Sequence, residues 1–448
     1  MPDMEKTERR NIAVIGSGVA GLTAAHVLSR GDRVTLYEAD DRLGGHAHTH
    51  RVELDTGTVV DVDTGFIVHN DRTYPTLLRL FDELGVRTQE SDMSMSVRNE
   101  RSGLEYAGAK GVRGLFPTAR NFTRPRYVRM LGEVLRFHRR ARALLDGPDT
   151  GEALAEFLAR HDFSEYFMEN FMTPLVAAVW SCDPENAGRY PARYLFTFLD
   201  HHGMLSVFGS PTWRTVTGGS ARYVELVADG LDEVLLSTRV QEVRRGPDGV
   251  LVVDDSGNDR HFDAAVIAVH PHQALAMLAP PTRAEADILG AMPYSVNHAQ
   301  LHTDTALLPH TTGARASWNY LTPAPIGDED IAEKVIVTYD MTRLMRIDAV
   351  RDRRFLVTLG GAHLVDPSTV IAEMTYEHPL YTPDSVAARE RLDEVGSSTL
   401  AFAGAYHGWG FHEDGALSGL HAAEKIGGSW NGTRSGDGSE TADRGVSV

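Results

Sequence analysis

The sequence contains little cysteine and little lysine. Cys182 is its only cysteine in 448 residues, which excludes an internal disulfide and a cysteine-rich metal site. We expect Cys182 to be an inert buried thiol. Lysine occurs only at positions 6, 110, 334 and 425, so arginine supplies nearly all of the positive charge.

Positive charge is scarce overall, and long apolar runs are missing. The formal net charge of −18 argues against a nucleic-acid partner, because phosphates attract the opposite sign. No apolar run approaches the roughly 20 residues that a membrane-spanning helix needs. The first residues also lack the apolar segment of a secretory signal. We therefore expect a cytoplasmic enzyme, and the length suits two domains.

A glycine-rich turn near the start carries the first chemical signal. Gly16-Ser-Gly18-Val-Ala-Gly21 lies between an apolar strand and a helix, the context in which this spacing indicates dinucleotide binding. Gly16 permits a tight turn, Gly18 lets the backbone approach a pyrophosphate, and Gly21 lets the helix pack closely on the strand. The helix N-terminus favours phosphate charge. The alternative is a glycine-rich turn in an unrelated α/β fold.

Two further signals follow directly. Glu38 ends the next strand, where a carboxylate can bind the ribose hydroxyls of the adenosine. The segment 41–46 then contains the adjacent glycines Gly44 and Gly45, which again allow close backbone approach to a ligand. Arg42 can offset pyrophosphate charge. A simple surface turn is the alternative for this second motif.

These segments resemble the flavin-containing amine oxidase and phytoene desaturase superfamily. Residues 41–46 resemble its Arg-x-Gly-Gly-Arg segment, with His46 where that pattern usually has arginine. Residues 263–271 resemble the strand that returns to the cofactor domain, and Val240 matches the position that contacts the adenine side. The resemblance covers most of residues 11–427.

Within the superfamily, the sequence is most similar to a bacterial group of FAD-dependent oxidoreductases associated with cyclopropane-type fatty-acyl modifying enzymes. This association implies lipid chemistry as a hypothesis. The residues that carry the closer match are Asp63-Thr-Gly65-Phe-Ile-Val-His-Asn70, Thr73-Tyr74-Pro75, Trp180-Ser181, His202-Gly203, Pro211-Thr-Trp213, Gly218-Gly-Ser220, Trp318-Asn319-Tyr320 and Gly410-Phe-His-Glu-Asp-Gly415.

The resemblance implies non-covalent FAD, an α/β fold and a divided cofactor domain. We expect a Rossmann-type FAD-binding domain built from discontinuous segments, with an inserted α+β substrate domain. The predicted ranges are 11–70, 218–275 and 396–428 for the FAD-binding domain, 71–217 and 276–395 for the substrate domain, and 1–10 and 429–448 for loose tails. The implied cofactor-binding residues are Gly16, Gly18, Gly21, Glu38, Arg42, Gly44, Gly45, Gly65, Val240, Gly404, Glu413, Asp414, Gly415 and Ala416.

The segment 402–419 is the most specific of the matches, because in the superfamily it runs beside the flavin and starts the final helix. We expect the backbone N–H groups of residues 415–417 to point at the flavin N1–C2=O edge, where a helix N-terminus stabilises negative charge. Glu413 or Asp414 could accept hydrogen bonds from ribityl hydroxyls. We expect the final helix to span 418–426.

Three departures from true amine oxidases put amine oxidation in doubt. Ala405 replaces a frequent glutamate, the C-terminal segment has no cysteine for covalent flavin, and none of the four lysines matches the water-holding lysine near flavin N5. The leading hypothesis is therefore an FAD-dependent oxidoreductase that takes a hydride from an apolar substrate, such as a fatty-acyl chain, onto flavin N5. The alternatives are an amine or amino-acid oxidase and a non-catalytic flavin-binding sensor or partner protein.

Several histidines and aromatic residues are candidates for other roles. His407 and His412 flank Trp409 close to the expected flavin, and these three are the candidate catalytic residues. Either histidine could be an acid/base group or a hydrogen-bonding wall residue. The alternating histidines at 46, 48 and 50 could in principle hold a metal, but we expect polar residues near the pyrophosphate and no metal. The aromatic residues of 318–320 could form a pocket wall or ordinary core.

The segment from Arg113 to Arg142 reverses the overall charge. It contains one acid, Glu133, and arginines at positions 113, 120, 124, 126, 129, 136, 139, 140 and 142. Apolar residues and one histidine recur there at near-helical spacing, at 128, 131, 135, 138 and 145, which predicts a basic amphipathic helix. It could lie on the inner face of an anionic membrane, or it could pack on the substrate domain with solvated or paired arginines.

Overall fold

A computed structural model describes residues 9–180, 187–206, 209–324, 335–348 and 353–431. Cys182 and most of both predicted tails lie outside the described residues. The chain divides into two compact units. The first comprises Met1–Gly45, Val224–Gly290 and Arg391–Val448, and the second comprises His46–Tyr223 and Ala291–Glu390. Segments 46–70 and 218–223, which the sequence assigned to the cofactor domain, belong to the second unit.

A five-stranded parallel sheet organises the first unit, which confirms the α/β fold. The strand order is Glu233–Leu235, Arg33–Tyr37, Asn11–Ile15, Ala264–Ile267 and Leu400–Phe402. Three distant parts of the chain therefore contribute to one sheet, in agreement with the prediction of a domain built from discontinuous segments. The central strands are buried on both faces, which explains why they read as continuous apolar runs. A three-stranded antiparallel sheet completes the strands of this unit, with Val240–Gly246, Gly249–Asp254 and Asp259–Phe262.

Two helices of the first unit pack at backbone distance. The first helix spans Val19–Leu28 and the final helix spans His412–Lys425. A Cβ atom at Gly419 would overlap the carbonyl oxygen of Ala20, and one at Gly415 would lie 2.6 Å from Cγ1 of Val19. Only glycine at these two positions allows the helices to approach this closely.

The second unit is built around a seven-stranded sheet. Its order is Val370–Pro379, Tyr294–His302, Leu356–Leu359, Val337–Asp340, Trp318–Thr322, Met95–Asn99 and Leu104–Ala107. The pair Trp318–Thr322 and Met95–Asn99 is parallel, and the other neighbours are antiparallel. Smaller sheets pair Thr49–Glu53 with Val59–Asp63, and Trp213–Val216 with both His69–Asn70 and Thr88–Glu90.

A row of polar side chains crosses one face of this seven-stranded sheet. Ser96 Oγ donates to Asn319 Oδ1 at 2.8 Å, and Asn319 Nδ2 donates to the carbonyl of Thr338 at 3.1 Å. The hydroxyl oxygens of Thr338 and Thr358 then lie 2.8 Å apart. Because these buried groups bond to one another across neighbouring strands, they fix the register of the sheet. Consecutive side chains alternate between faces, so Trp318 and Tyr320 lie on the opposite face.

Helices fill the rest of the chain. The helices of the described residues outside the first and final ones are Pro75–Leu84, Gly111–Leu115, Ala119–Phe122, Pro125–Leu145, Leu154–Arg160, Glu165–Phe167, Thr173–Trp180, Ala192–His201, Ala221–Ala228, Pro271–Met277, Arg283–Gly290, Met341–Leu344 and Pro383–Arg389, with a π-helical turn at Met168–Met172. No helix among the described residues is long and apolar enough to cross a bilayer.

Local predictions agree with the structure except at element ends. The apolar patterns of the sequence predict strands at 11–15 and 33–37, a helix from 19 to about 30, a hairpin around Gly57 and a helix closed by Gly85. All of these elements are present. The final helix was predicted six residues too late: it begins at His412, because Asp414 Oδ2 accepts the N–H of Phe411 at 2.8 Å and caps the first turn. The first helix ends at Leu28 rather than near residue 30.

The predicted tails are also shorter than expected. Arg10 forms a 2.7 Å ion pair with Asp32, so the ordered chain includes residues assigned to the N-terminal tail. Trp430 is buried with its ring 6.0 Å from that of His26, which places an anchored aromatic residue inside the predicted C-terminal tail. The composition of the C-terminal tail did not predict this contact, because the contact depends on one large side chain, Trp430, among small polar residues.

The glycine contact between the two helices gives a stability prediction. Gly419→Ala should lower the free energy of unfolding by roughly 2–3 kcal/mol or prevent folding, because the new methyl overlaps a backbone oxygen that cannot move alone. Gly132→Ala is the matched control, since it also lies inside a helix but a Cβ there meets nothing within 4 Å. The control should gain roughly 0.5–1 kcal/mol from helix propensity. Equal thermal unfolding midpoints for the two variants would contradict this packing.

Candidate cofactor site and aromatic sheet face

The first glycine motif forms an open turn at the start of the first helix. Gly16 has φ +98°, and a Cβ there would lie 2.6 Å from the carbonyl oxygen of Ala268, so this position requires glycine for the turn itself. Gly18 is different, because its backbone is extended and a Cβ would meet nothing within 4 Å. Packing within the protein therefore does not explain why residue 18 is glycine, whereas a ligand bound against the helix N-terminus does.

The second glycine motif folds onto the first. The N–H of Gly44 donates to Ser17 Oγ at 3.0 Å, and a Cβ at Gly45 would lie 3.2 Å from Cα of Gly18. Ser17 also bonds to Glu38 with both its N–H, at 2.9 Å, and its hydroxyl. Ser17 thus joins the two motifs and the carboxylate at one place. Ser17 was not among the residues predicted from the sequence; the available signal was a hydroxyl between two glycines of the turn.

Glu38 and Arg42 are held by the loops around them. One oxygen of Glu38 accepts from Ser17, and the other accepts the N–H of Asp40 at 2.9 Å. This places the carboxylate at the glycine turn, with lone pairs left for ribose hydroxyls. Arg42 Nη1 donates to the carbonyl of Gly45 at 2.9 Å, so the guanidinium stabilises the double-glycine loop. The guanidinium also brings a positive charge near the glycine turn.

The final glycine-rich segment is arranged differently from the expectation. The N–H of Gly415 donates to the carbonyl of Phe411 at 3.1 Å, so it is used inside the helix and does not point at a ligand. The first turn of the helix consists of His412, Glu413 and Asp414, and Asp414 acts as its capping residue. The N–H of Gly415 is therefore not free for the expected role, because the helix begins earlier than predicted.

The remaining predicted cofactor residues fall in both units. Gly404 donates its N–H to Ser418 Oγ at 2.9 Å, which ties the strand end to the final helix. Ala416 is fully buried in that helix, and Val240 is buried at the start of its strand. Gly65 belongs to the second unit, where a Cβ would overlap the carbonyl oxygen of His46. Gly65 therefore has a packing reason for being glycine.

The candidate catalytic histidines have distinct settings. His407 ends a short turn, and its Nε2 is buried without a hydrogen-bond partner among the described residues. Burial, and then the positive charges of His421 and Lys425, lower the pKa of His407 to about 3. A neutral imidazole with so low a pKa suits a hydrogen-bonding role better than general base catalysis near neutral pH. His412 is the first residue of the final helix, and Trp409 lies between them.

These features fit FAD. The first unit combines a glycine turn with open space at Gly18, a helix N-terminus behind it and a carboxylate at the end of the second strand. Anionic pyrophosphate suits the helix N-terminus, and ribose hydroxyls suit the carboxylate. The His407 nitrogen is a further buried polar atom that a polar ligand could satisfy.

In the second unit, one face of the seven-stranded sheet is aromatic and without charge. Trp318, Tyr320, Tyr339 and Tyr376 lie on it, and none of its described strand positions is Asp, Glu, Lys or Arg. The Tyr376 hydroxyl lies 2.8 Å from Thr64 Oγ1, and the Trp318 and Tyr339 rings are 5.2 Å apart. Trp318 Nε1 is buried without a hydrogen-bond partner in the described part of the chain.

Two buried titratable groups lie elsewhere in this unit. Asp63 accepts from the Thr49 hydroxyl at 2.6 Å and from Ser220, yet burial raises the pKa of Asp63 to about 6. His69 lies among aromatic rings, the nearest of them Phe81 at 5.4 Å, and burial lowers its pKa to about 4. Neither residue was singled out as a site from the sequence.

The three alternating histidines are divided between different neighbours. The rings of His48 and His50 lie 4.1 Å apart, while the ring of His46 lies 5.1 Å from that of Tyr376 and 5.3 Å from that of His378. The aromatic set at 318–320 is likewise divided, because Asn319 points into the polar row and its two neighbours into the aromatic face.

Comparisons with known proteins agree with the cofactor geometry. The family model for flavin-containing amine oxidoreductases matches residues 19–427. The flavin-containing monoamine oxidase AofH of Mycobacterium tuberculosis is 28% identical over 60% of this chain, and the match spans 58% of that relative. The cyclohexylamine oxidase of Brevibacterium oxydans has a TM-score of 0.66 at 18% identity, covering 94% of this chain and 99% of that one. A fatty acid isomerase of P. acnes has a TM-score of 0.67 at 16% identity, with the same coverage.

The open space at Gly18 gives a test that separates ligand binding from folding. Gly18→Val should leave the unfolding midpoint of the FAD-free protein nearly unchanged but reduce bound FAD at least tenfold, because the side chain takes the space of the pyrophosphate. Gly31→Val is the matched control, since a Cβ there also meets nothing within 4 Å. Flavin absorbance per chain after purification measures the result. Full flavin content in folded Gly18→Val would refute this placement.

The buried histidines predict a loss of stability in acid. Burial lowers the pKa of His69, His138, His202 and His302 to about 4, and of His407 to about 3. The unfolded chain binds these protons below about pH 6.5 and the folded chain does not, so stability is complete above that pH and falls towards pH 4. Asp63 and Asp340 act in the opposite direction, because burial raises the folded pKa of both carboxyls.

His407→Gln isolates one of these contributions. Between pH 6.5 and 5 the variant should lose roughly 2 kcal/mol less than the unsubstituted protein, because the glutamine takes up no proton. Exposed His363→Gln is the control and should not change the slope. Thermal unfolding midpoints at several pH values measure both. A His407→Gln slope as steep as that of the unsubstituted protein would contradict the buried neutral imidazole.

Proposed function

Because the chain belongs to the flavin-containing amine oxidoreductase family and FAD is its cofactor, we propose that it is an enzyme that takes a hydride from an apolar substrate, with a fatty-acyl chain as the favoured class. Bound FAD would supply the two-electron acceptor. The observation that carries the substrate class is the charge-free aromatic face in the second unit.

The aromatic face suits an apolar chain in two ways. Trp318, Tyr320 and Tyr339 offer large rigid apolar surfaces that exclude water from a bound chain. A charged substrate would find no opposite charge among the described strand residues of this face. The buried Trp318 Nε1 offers one donor, which suits a single polar group such as an acyl carbonyl.

Amine oxidation is less favoured by the residues of this chain. Ala405 lacks the carboxylate that true amine oxidases often have there. The two lysines in the described ranges are both engaged with carbonyl oxygens, since Lys110 donates to Arg315 and Lys425 donates to Val395, each at 2.6 Å. The fold does not distinguish an amine substrate from a fatty-acyl substrate, because an amine oxidase and a fatty acid isomerase both share it. The chain also spans only 58% of its monoamine oxidase relative.

Anaerobic reduction of the bound flavin tests the substrate class. We expect long-chain acyl compounds to bleach the flavin absorbance and simple alkyl or aryl amines to leave it nearly unchanged over the same time. Trp318→Phe should raise the acyl concentration needed for half-maximal reduction about tenfold, because a hydrogen bond to a polar group is worth about 1 kcal/mol or more. Tyr37→Phe is a control aromatic change in the first unit. Rapid bleaching by a simple amine would reverse the order of the two enzyme hypotheses.

A further inference from the structure

The segment from Val112 to Leu135 exposes large apolar side chains. Val112 is 70% exposed, Phe122 60%, Val128 47% and Leu135 60%. Isolated exposed apolar residues are ordinary on protein surfaces, but four within one short basic segment are not. Phe122 is also held in position, because its ring stacks on that of Phe116 at 4.0 Å.

The exposed residues are tied into one surface. Phe116 packs on Tyr127 with ring centroids 5.9 Å apart, and the Tyr127 hydroxyl donates to the carbonyl of Leu115 at 2.7 Å. These contacts fix the short helices Gly111–Leu115 and Ala119–Phe122 against the long basic helix Pro125–Leu145. The long helix buries Tyr127, Met130, Phe137 and Ala141 on its inner side.

The outer side of the basic helix is a regular stripe. Val128, Leu135, Arg139 and Arg142 are exposed, and their spacing of seven, four and three residues places them on one helix face. The sequence analysis grouped Val128 and Leu135 with apolar residues that turn out to be partly buried. The structure instead places Val128 and Leu135 outward, beside arginines.

Most of these arginines lack a compensating carboxylate. Arg113, Arg120, Arg126, Arg139 and Arg140 are exposed, and none forms an ion pair within the ranges that the structure describes. The one acid of the segment, Glu133, is buried and accepts from Ser164 Oγ at 2.7 Å. The local positive charge is therefore unbalanced on a chain whose net charge is −18.

We propose that this basic apolar surface, formed by Val112, Phe122, Val128 and Leu135 with Arg113, Arg120 and Arg139, docks on an anionic lipid bilayer. Arginines are attracted to anionic headgroups, and the four apolar side chains enter the boundary between headgroups and acyl chains. Because the rest of the chain is acidic, repulsion orients the molecule with this surface towards the bilayer.

The apolar residues distinguish a membrane from other anionic partners. A nucleic-acid backbone would use the arginines, but it offers nothing apolar for Phe122 and Leu135 to enter. An anionic bilayer interacts with the arginines and with the apolar side chains at the same time. The proposal rests on residues of the second unit alone and holds whatever substrate the enzyme oxidises.

Cosedimentation of the flavin-loaded protein with vesicles tests it. The probes are vesicles of phosphatidylcholine alone and of phosphatidylcholine mixed with phosphatidylglycerol, each at about 0.02 M and about 0.5 M salt. We expect binding to the mixed vesicles at low salt and loss of binding at high salt. Binding to neither vesicle, or to both equally, overturns the proposal.

Two double variants separate charge from apolar insertion. Arg113→Gln with Arg139→Gln should weaken binding about thirtyfold, since each arginine is worth roughly fivefold near anionic headgroups. Phe122→Ser with Leu135→Ser should weaken it at least tenfold at unchanged charge. Flavin content should not change in either.

Matched controls remove the same groups from other surfaces. The double variant Arg283→Gln with Arg391→Gln removes two exposed arginines, and Val59→Ser removes an exposed apolar side chain. Both controls should bind vesicles as the unsubstituted protein does. If the controls weaken binding as much as the variants, or if the protein binds duplex DNA through these arginines but not vesicles, the proposal fails.

Discussion

The backbone contact between the first and final helices is the constraint on which the cofactor site depends. Gly415 and Gly419 press against Val19 and Ala20, the opening residues of the first helix. The N-terminal ends of the two helices are therefore held side by side at the Gly18 turn. Each helix end carries partial positive charge, so their proximity creates a site for the anionic part of a dinucleotide. Any side chain at these glycines would separate the two ends.

Much of this arrangement could be predicted from the sequence, because it is local. The spacing of Gly16, Gly18 and Gly21 between a strand and a helix predicts the turn, and Glu38 follows at the end of the next strand. Short-range hydrogen bonding and glycine conformations determine these features, and both are visible in adjacent residues. The division of the sheet among three segments also followed, since each segment carries its own apolar strand.

The features that could not be predicted from the sequence depend on contacts between distant residues or on single capping hydrogen bonds. The start of the final helix was misplaced because one carboxylate, Asp414, decides it. The aromatic face could not be predicted, because it depends on the register between strands that are distant in the sequence. Trp318 pairs with Met95 on one side and with Tyr339 on the other. Exposure is equally non-local: Leu135 and Phe137 are both apolar, but only packing shows which of them faces outward.

We propose that the first unit binds FAD between a glycine turn and paired helix ends. The most direct measurement is to denature the purified protein and determine the released flavin against the chain concentration. The account predicts FAD at one molecule per chain, released without proteolysis because the attachment is non-covalent. A folded, colourless protein that takes up no FAD on reconstitution would contradict it.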